Sequence, residues 1–301
     1  MHNKERKCDL LILFGFFSFM SNINTDIIVE AIRKLECDLP EDVEKKLLEI
    51  REKEEGLSRI VIDSIIENIR YAREEKVPIC QDTGIIEFFV KGSKGFKEIK
   101  KIIEEAIKRA VKEVPIRANT VNPFTRENQG ENLGRFHPII HFEYEDNDFM
   151  RIDILAKGAG SENVSCIYML DPVKGIKGIK EAVIDTIRKA NGKPCPPIIV
   201  GIGVGGNMEL AVHLSKYALL RPINQRSPYE FVRKLEEELE EEINSLGIGP
   251  MGFGGKTTVI NVAIEWAHCH TASLPLCINI QCWALRRISI IYDGKEVKIT
   301  R

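Results

Sequence analysis

The sequence predicts an α/β fold in which a helical N-terminal region is followed by a mixed-sheet domain. Three observations carry this. Between residues 25 and 76 apolar side chains recur at three- and four-residue spacing, the period of a helix buried on one face. Further on, short apolar runs rich in β-branched residues, at 85–90 and 198–204, are separated by amphipathic helical stretches at 96–114 and 175–191. The composition, 44% hydrophobic and 29% charged over 301 residues, is that of a globular chain with a sizeable core.

Taken in order, the chain opens with basic residues 2–7 and an almost wholly apolar run at 8–20. That run is too short to span a bilayer, and no clean small-x-small cleavage site follows it. Residues 1–20 are therefore read as a leader outside the fold, or as a start assigned upstream of a true start at Met20, and residues 21–301 as one domain. The first helix places Ile28, Ala31, Ile32 and Leu35 on one side and is broken by Pro40; helices at 41–53 and 57–76 follow. After helix 96–114 comes an aperiodic loop to residue 138, then strands at 139–145 and 149–157, expected to pair as a hairpin through 146–148. Beyond helix 175–191 and strand 198–204 lie helices at 208–217 and 228–246, a strand-like run at 257–266, and a closing hairpin around Asp293-Gly294.

The net charge of -2 and pI near 6.4 give no basic field for nucleic acid. Eight cysteines without a CxxC pair point to a reducing compartment, the cytoplasm, where thiols serve metals or catalysis. Chemistry concentrates in a few stretches. Cys80-Gln81-Asp82-Thr83-Gly84 sets a thiol, an amide and a carboxylate side by side in a loop entering a strand; the same residues also suit a buried cysteine beside an ordinary Asx turn. The loop from 114 to 138 carries Arg117, Arg126 and Arg135, whose forked donors match carboxylates, although surface ion pairs use such arginines too. In Lys157-Gly158-Ala159-Gly160-Ser161-Glu162-Asn163 small residues let backbone amides approach an anion, with Ser161 and Asn163 as further donors; a plain glycine turn is the alternative. Cys195 is wedged among Pro194, Pro196 and Pro197, a backbone immobilised as a metal ligand needs.

Other motifs fail on their own terms. GIGVGG at 201–206 has its third glycine misplaced for a dinucleotide fingerprint, and no βαβ unit is seen to close with an acidic residue. Gly254-Gly255-Lys256-Thr257 lacks the P-loop glycine, since Pro250 stands there, and a strand follows it. In a strand only His268 and His270 would share a face, so His268, Cys269 and His270 do not make a zinc site.

In this order CQDTG, the Arg117 loop, KGAGSEN, the proline-flanked CPP, GGK and HTASLPLCINIQC resemble the class I, iron-sulfur fumarate hydratases and the related L-tartrate dehydratases. The resemblance runs from about Thr25 to the C-terminus and covers the α subunit, or N-terminal catalytic half, of that family. It implies that the mixed-sheet part is a cluster-binding domain, with a 4Fe-4S cluster held by Cys80, Cys195 and Cys282. Three thiolates leave one iron open to act as a Lewis acid on a hydroxyl, where four would saturate a cluster for electron transfer. It also implies substrate contacts from Gln81, Asp82, Arg117, Gly158, Ser161 and Asn163, with Arg117 on a substrate carboxylate and Asp82 and His270 handling protons or orienting the departing oxygen. The chain departs from many relatives at His270-Thr271-Ala272-Ser273-Leu274-Pro275, where a glycine and a cysteine are replaced and Cys277 follows instead. The expected function is reversible hydration of fumarate to L-malate, with L-tartrate dehydration second; rivals of other classes are a dinucleotide-dependent oxidoreductase and an iron-sulfur electron carrier. With only nineteen residues after Cys282, the resemblance further implies a separately encoded β subunit, without which the chain is inactive, and a dimer of αβ units.

Overall fold

The structure, a computed structural model, describes residues 23–146 and 149–301. The leader assigned to residues 1–20 falls outside the described residues, apart from which the predicted helices and strands are found within a few residues of their expected ends. The described strands are β1 (Ile85–Gly92), β2 (Ile139–Tyr144), β3 (Met150–Lys157), β4 (Cys166–Leu170), β5 (Ile198–Gly205), β6 (Val259–Ala267), β7 (Leu274–Gln281), β8 (Arg286–Tyr292) and β9 (Val297–Thr300). The chain forms two compact units and passes between them several times. The first takes the described residues up to Asp38 with Glu75–Ala156 and Arg286–Arg301; the second takes Leu39–Glu74 and Lys157–Leu285.

In the first unit the helix Thr25–Cys37 begins where Asn24 Oδ1 accepts the Ile27 N–H at 3.0 Å, satisfying one of the orphan donors of the first turn. Ile28, Ala31, Ile32 and Leu35 are buried, as their spacing requires, and share a core with Ile99, Ile103, Ala106, Ile107 and Ala110 of the helix Phe96–Glu113 and with the sheet β2-β1-β3-β8-β9. Each such isoleucine taken out of water contributes about 2 kcal/mol. The sheet is mixed: β2 runs parallel to β1, β8 antiparallel to β3 and to β9. The expected hairpin of the second and third strands is not formed, because β1 lies between them. β2 is partly exposed along its whole length, suiting an edge, whereas β3 is buried nearly throughout, suiting the middle of the sheet. Alternation in sequence assigns faces but not neighbours. The closing hairpin is present: Tyr292 pairs with Val297, and Asp293 Oδ1 accepts from Lys295 N and Glu296 N, both at 3.0 Å.

The second unit is built on the sheet β4-β7-β5-β6. Ile198, Val200 and Ile202 join the core formed with Ile179, Val183 and Ile187 of the helix Gly175–Ala190 and Val232, Leu239 and Ile243 of the helix Glu230–Asn244. The alternate residues Gly201 and Gly203 face the helix Met208–Ala218, and a Cβ on either would lie 2.2 Å from Ser215 O or 2.0 Å from Ala211 O. GIGVGG is thus a packing device that lets a helix lie close on the sheet. A parallel crossover does close here, since β5 and β6 pair in parallel with helices between them, but His268 and not an acidic residue follows β6. Asn207 Oδ1 is spent on capping that helix at Leu210 N, 2.8 Å away.

Candidate active site

The CQDTG loop is held from behind by buried charge. Ile79 N–H donates to Glu36 O at 2.9 Å, Arg286 Nη1 donates to Glu36 Oε2 at 2.6 Å, and Arg286 Nη2 donates to the Asp82 carbonyl at 3.1 Å. Glu36 and Arg286 are both essentially inaccessible to solvent, and burial pushes the Glu36 carboxyl up to about 6 against the opposing pull of the guanidinium. Asp82 Oδ1 accepts the Gly84 N–H at 2.9 Å, the expected Asx turn, with Gly84 at φ 72° where a Cβ would be strained. Cys80 and Asp82 are half-buried and Gln81 exposed.

The long loop returns to this turn. Thr83 Oγ1, buried, accepts the Arg117 N–H at 3.0 Å and Asn119 Nδ2 at 3.3 Å, and Asn119 Nδ2 also donates to Gly84 O at 3.1 Å. Arg117, which is exposed, is thereby tied through its backbone to the residue that follows Asp82. Arg126 and Arg135 lie farther along the loop, Arg135 placing its guanidinium 5.2 Å from the centre of the Phe136 ring. Thr83, Asn119 and Asn132 were not singled out from the sequence. The available signal was the density of short amides, Asn119, Asn122, Asn128 and Asn132, in an aperiodic stretch whose backbone groups need partners.

In the second unit Gly158 leads into one helical turn, Ala159–Glu162. Ser161 is buried with its hydroxyl donating to Gly158 O at 3.1 Å, and Asn163 is exposed. The turn is tied to the sheet by Ser165 Oγ, which accepts the Ile280 N–H at 3.0 Å. Lys157, named in the sequence motif but given no role there, has a side chain only 1% exposed; its ammonium lies 2.8 Å from Glu162 Oε2, and burial holds it below the usual lysine range while Glu162 pulls it back up.

Cys195 adopts φ 56°, rare for a side-chain-bearing residue, between Pro194 and a cis Pro196-Pro197 bond. Its carbonyl accepts the Trp283 N–H at 3.3 Å, which lays the Cys195 turn against the residue following Cys282. Cys282 Sγ lies 3.8 Å from Ala284 O and 3.9 Å from Gln281 Nε2. Both thiols are half-buried on neighbouring turns. Cys37 and Cys277 differ: both are buried, and burial pushes the Cys37 thiol up to about 11 and raises that of Cys277, keeping them protonated. Among the described residues no three His, Cys, Asp or Glu side chains are gathered as a metal site.

His268, Cys269 and His270 lie beyond the end of β6 in an exposed turn, not in a strand as expected, because the apolar pattern ends at Ala267. His270 Nδ1 accepts the Ala272 N–H at 3.1 Å, so the neutral ring carries its proton on Nε2. The GGK turn does bind a carboxylate, but one of its own chain: Lys256 N–H donates to both oxygens of Glu54, at 3.1 and 3.0 Å.

These features agree with comparison to known proteins. Residues 25–291 match the family described as fumarate hydratase (fumerase). The chain is 50% identical over 271 residues to a Methanocaldococcus jannaschii protein provisionally named L(+)-tartrate dehydratase subunit alpha, covering 87% of this chain and 95% of that one. It is 33% identical to the L(+)-tartrate dehydratase subunit alpha of Escherichia coli, over 89% of this chain and 90% of the relative. It is also 35% identical to a Geobacillus stearothermophilus protein provisionally named class I fumarate hydratase, of which it spans 55%. Fold and sequence thus define an enzyme of the hydro-lyase class. The chain belongs to the fumarate hydratase family, and its relatives include proteins named as tartrate dehydratase alpha subunits.

Proposed function

We propose that this chain, acting as one catalytic domain over residues 21–301, is the α subunit of a 4Fe-4S-dependent hydro-lyase for a four-carbon dicarboxylate, with fumarate and L-malate as its pair. The observation that carries the reading is the Thr83 hydroxyl, which ties an arginine with an exposed fork to the turn bearing Cys80, Gln81 and Asp82. This supports a carboxylate-binding arginine whose backbone is rooted on the same turn as an assigned thiol ligand and an assigned proton-handling carboxylate. Class I hydratases are iron-sulfur dependent, and Cys80, Cys195 and Cys282 are the thiols we assign to the cluster. The donor set suits it: Cys195 and Cys282 are soft, half-buried thiols on adjoining turns, Cys195 at φ 56° between two prolines.

When bound, a cluster with three thiolate ligands supplies a Lewis-acidic iron that makes a substrate hydroxyl a better leaving group. The chain's own residues do the rest. Arg117 offers two parallel N–H donors to one substrate carboxylate, and the amide of Gln81 orients its neighbour. Asp82 Oδ1 accepts the Gly84 N–H, and we assign the Asp82 carboxylate to holding or moving a proton; His270 offers the Nε2 proton. We assign Gly158, Ser161 and Asn163 to substrate binding, with Ser161 fixing its own turn from within. Three rather than four assigned thiols separate this reading from an electron carrier, and the filled space over Gly201 and Gly203 separates it from a dinucleotide enzyme.

Several relatives are named as alpha subunits, which supports a separately encoded β subunit; a dimer of αβ units is the assembly we propose for the two chains. The same names favour L-tartrate dehydration as the second reading. Turnover of fumarate, mesaconate and L-tartrate by the anaerobically reconstituted two-chain enzyme decides between them. Fumarate is expected to have the highest kcat/KM; preference for L-tartrate selects the second reading, and turnover of none refutes both.

A further inference from the structure

We infer that Thr83 and Asn132 are positioning residues that clamp Arg117 from both sides and so set the affinity for the substrate carboxylate. The inference rests on the reading of Arg117 as the carboxylate-binding group. Both backbone polar groups of Arg117 are taken by side chains of other segments. Its N–H donates to Thr83 Oγ1 at 3.0 Å, and its carbonyl accepts Asn132 Nδ2 at 2.8 Å. The partners lie 34 residues before it and 15 after it, so the clamp crosses two loops.

Each partner is committed more than once. Thr83 is 3% exposed and follows Asp82 directly, so its hydroxyl transmits the position of the Asx turn to Arg117. Asn132 Oδ1 also accepts the N–H groups of Asn119 and Thr120, at 2.6 and 3.0 Å, so a single amide serves three backbone groups across residues 117–120. Asn132 sits at φ 53°, a left-handed conformation that asparagine tolerates better than most residues. Residues 115–120 have no helix or strand of their own to hold them. Nor is the guanidinium anchored: Arg117 makes no ion pair with any described residue, unlike Arg109, Arg221 and Arg286. Its fork is available to a ligand, and the two backbone bonds are what fix its root.

A merely structural role would change stability; a positioning role changes KM through Arg117. The test uses the reconstituted two-chain enzyme with Thr83→Val, Thr83→Ser, Asn132→Asp, Arg117→Ala and the Thr83→Val/Arg117→Ala pair, with iron content measured in each. Asn132→Asp keeps the acceptor for Asn119 and Thr120 but loses the donor to Arg117, and its half-exposed site protects folding if Thr83→Val proves insoluble. Thr83→Val and Asn132→Asp are expected to raise KM about tenfold with kcat changed by less than about threefold, since small misplacements of a binding group are costly. Thr83→Ser restores the wild-type KM, and Thr83→Val adds nothing once Arg117 is alanine. If Arg117→Ala raises KM but neither clamp variant does, or if Thr83→Val acts equally in the alanine background, the clamp is refuted while the role of Arg117 stands. If Arg117→Ala leaves KM unchanged, the reading of Arg117 falls and the clamp with it.

Discussion

Replacing Glu36 by alanine should destabilise the first unit and disable the turn that carries Cys80 and Asp82. Glu36 and Arg286 are 0% and 1% exposed, and their 2.6 Å contact is the ion pair of the buried guanidinium that also holds the Asp82 carbonyl. Removing one partner of such a pair leaves an uncompensated buried charge, at a cost of about 3–5 kcal/mol. In a protein of this size that corresponds to a fall in Tm of roughly 10 °C. Glu36→Gln keeps an acceptor for Arg286 and should cost about 1 kcal/mol. The double variant Glu36→Leu/Arg286→Met separates stability from function. A buried apolar pair of similar volume recovers most of the lost stability, but the Asp82 carbonyl still lacks its donor, so kcat/KM stays depressed. Thermal melts and steady-state kinetics on the three variants provide the assay. A Glu36→Ala melt indistinguishable from wild type, or a double variant with wild-type kcat/KM, would refute the reasoning.

Further outcomes are expected. Because the Glu36 carboxyl is raised to about 6 in the fold from an ordinary 4.5, its contribution to stability is full below pH 4.5 and is lost as pH rises through 6. The loss is about 2 kcal/mol, read as the difference between wild-type and Glu36→Gln denaturation across that window; a flat difference contradicts it. Arg117→Lys should raise KM or lower turnover for dicarboxylates with iron content intact, because a point charge replaces a fork; unchanged kinetics would remove Arg117 from the site. Activity should decay in air faster than the fold melts, since an open iron is the exposed element. Equal activity after prolonged aeration would contradict it.

Much of this architecture was legible because helix and strand periods announce themselves over ten or more residues. The buried face of Thr25–Cys37 and the hairpin at Asp293-Gly294 were readable from local spacing alone. The order of β2, β1 and β3 was not, because the pattern that buries a strand does not name its neighbour. The site divides similarly. Cys80 and Cys195 stood out through their immediate company, whereas the ligand set as a whole came only from family resemblance. Glu36, Arg286 and Asn132 were invisible, and Thr83 was read only as part of its turn, since a hydrogen bond between residues 36 and 286 leaves no periodic trace in sequence. GIGVGG and GGK imitate phosphate motifs for the converse reason: glycine patterns shaped by a helix lying on a strand, or by a turn around Glu54, look like patterns shaped by phosphate.

The central claim is that three named thiols hold a cluster on which dicarboxylate hydration depends. The most direct measurement follows bound iron and fumarate hydration together during anaerobic reconstitution of the two-chain enzyme, for wild type and for serine at Cys80, Cys195, Cys282, Cys37 and Cys277. Iron and activity should rise in step in wild type and in the Cys37 and Cys277 variants, and both should be lost in the other three. A Cys277→Ser enzyme that loses iron while Cys282→Ser keeps it, or hydration that persists after the iron is stripped, would contradict the account.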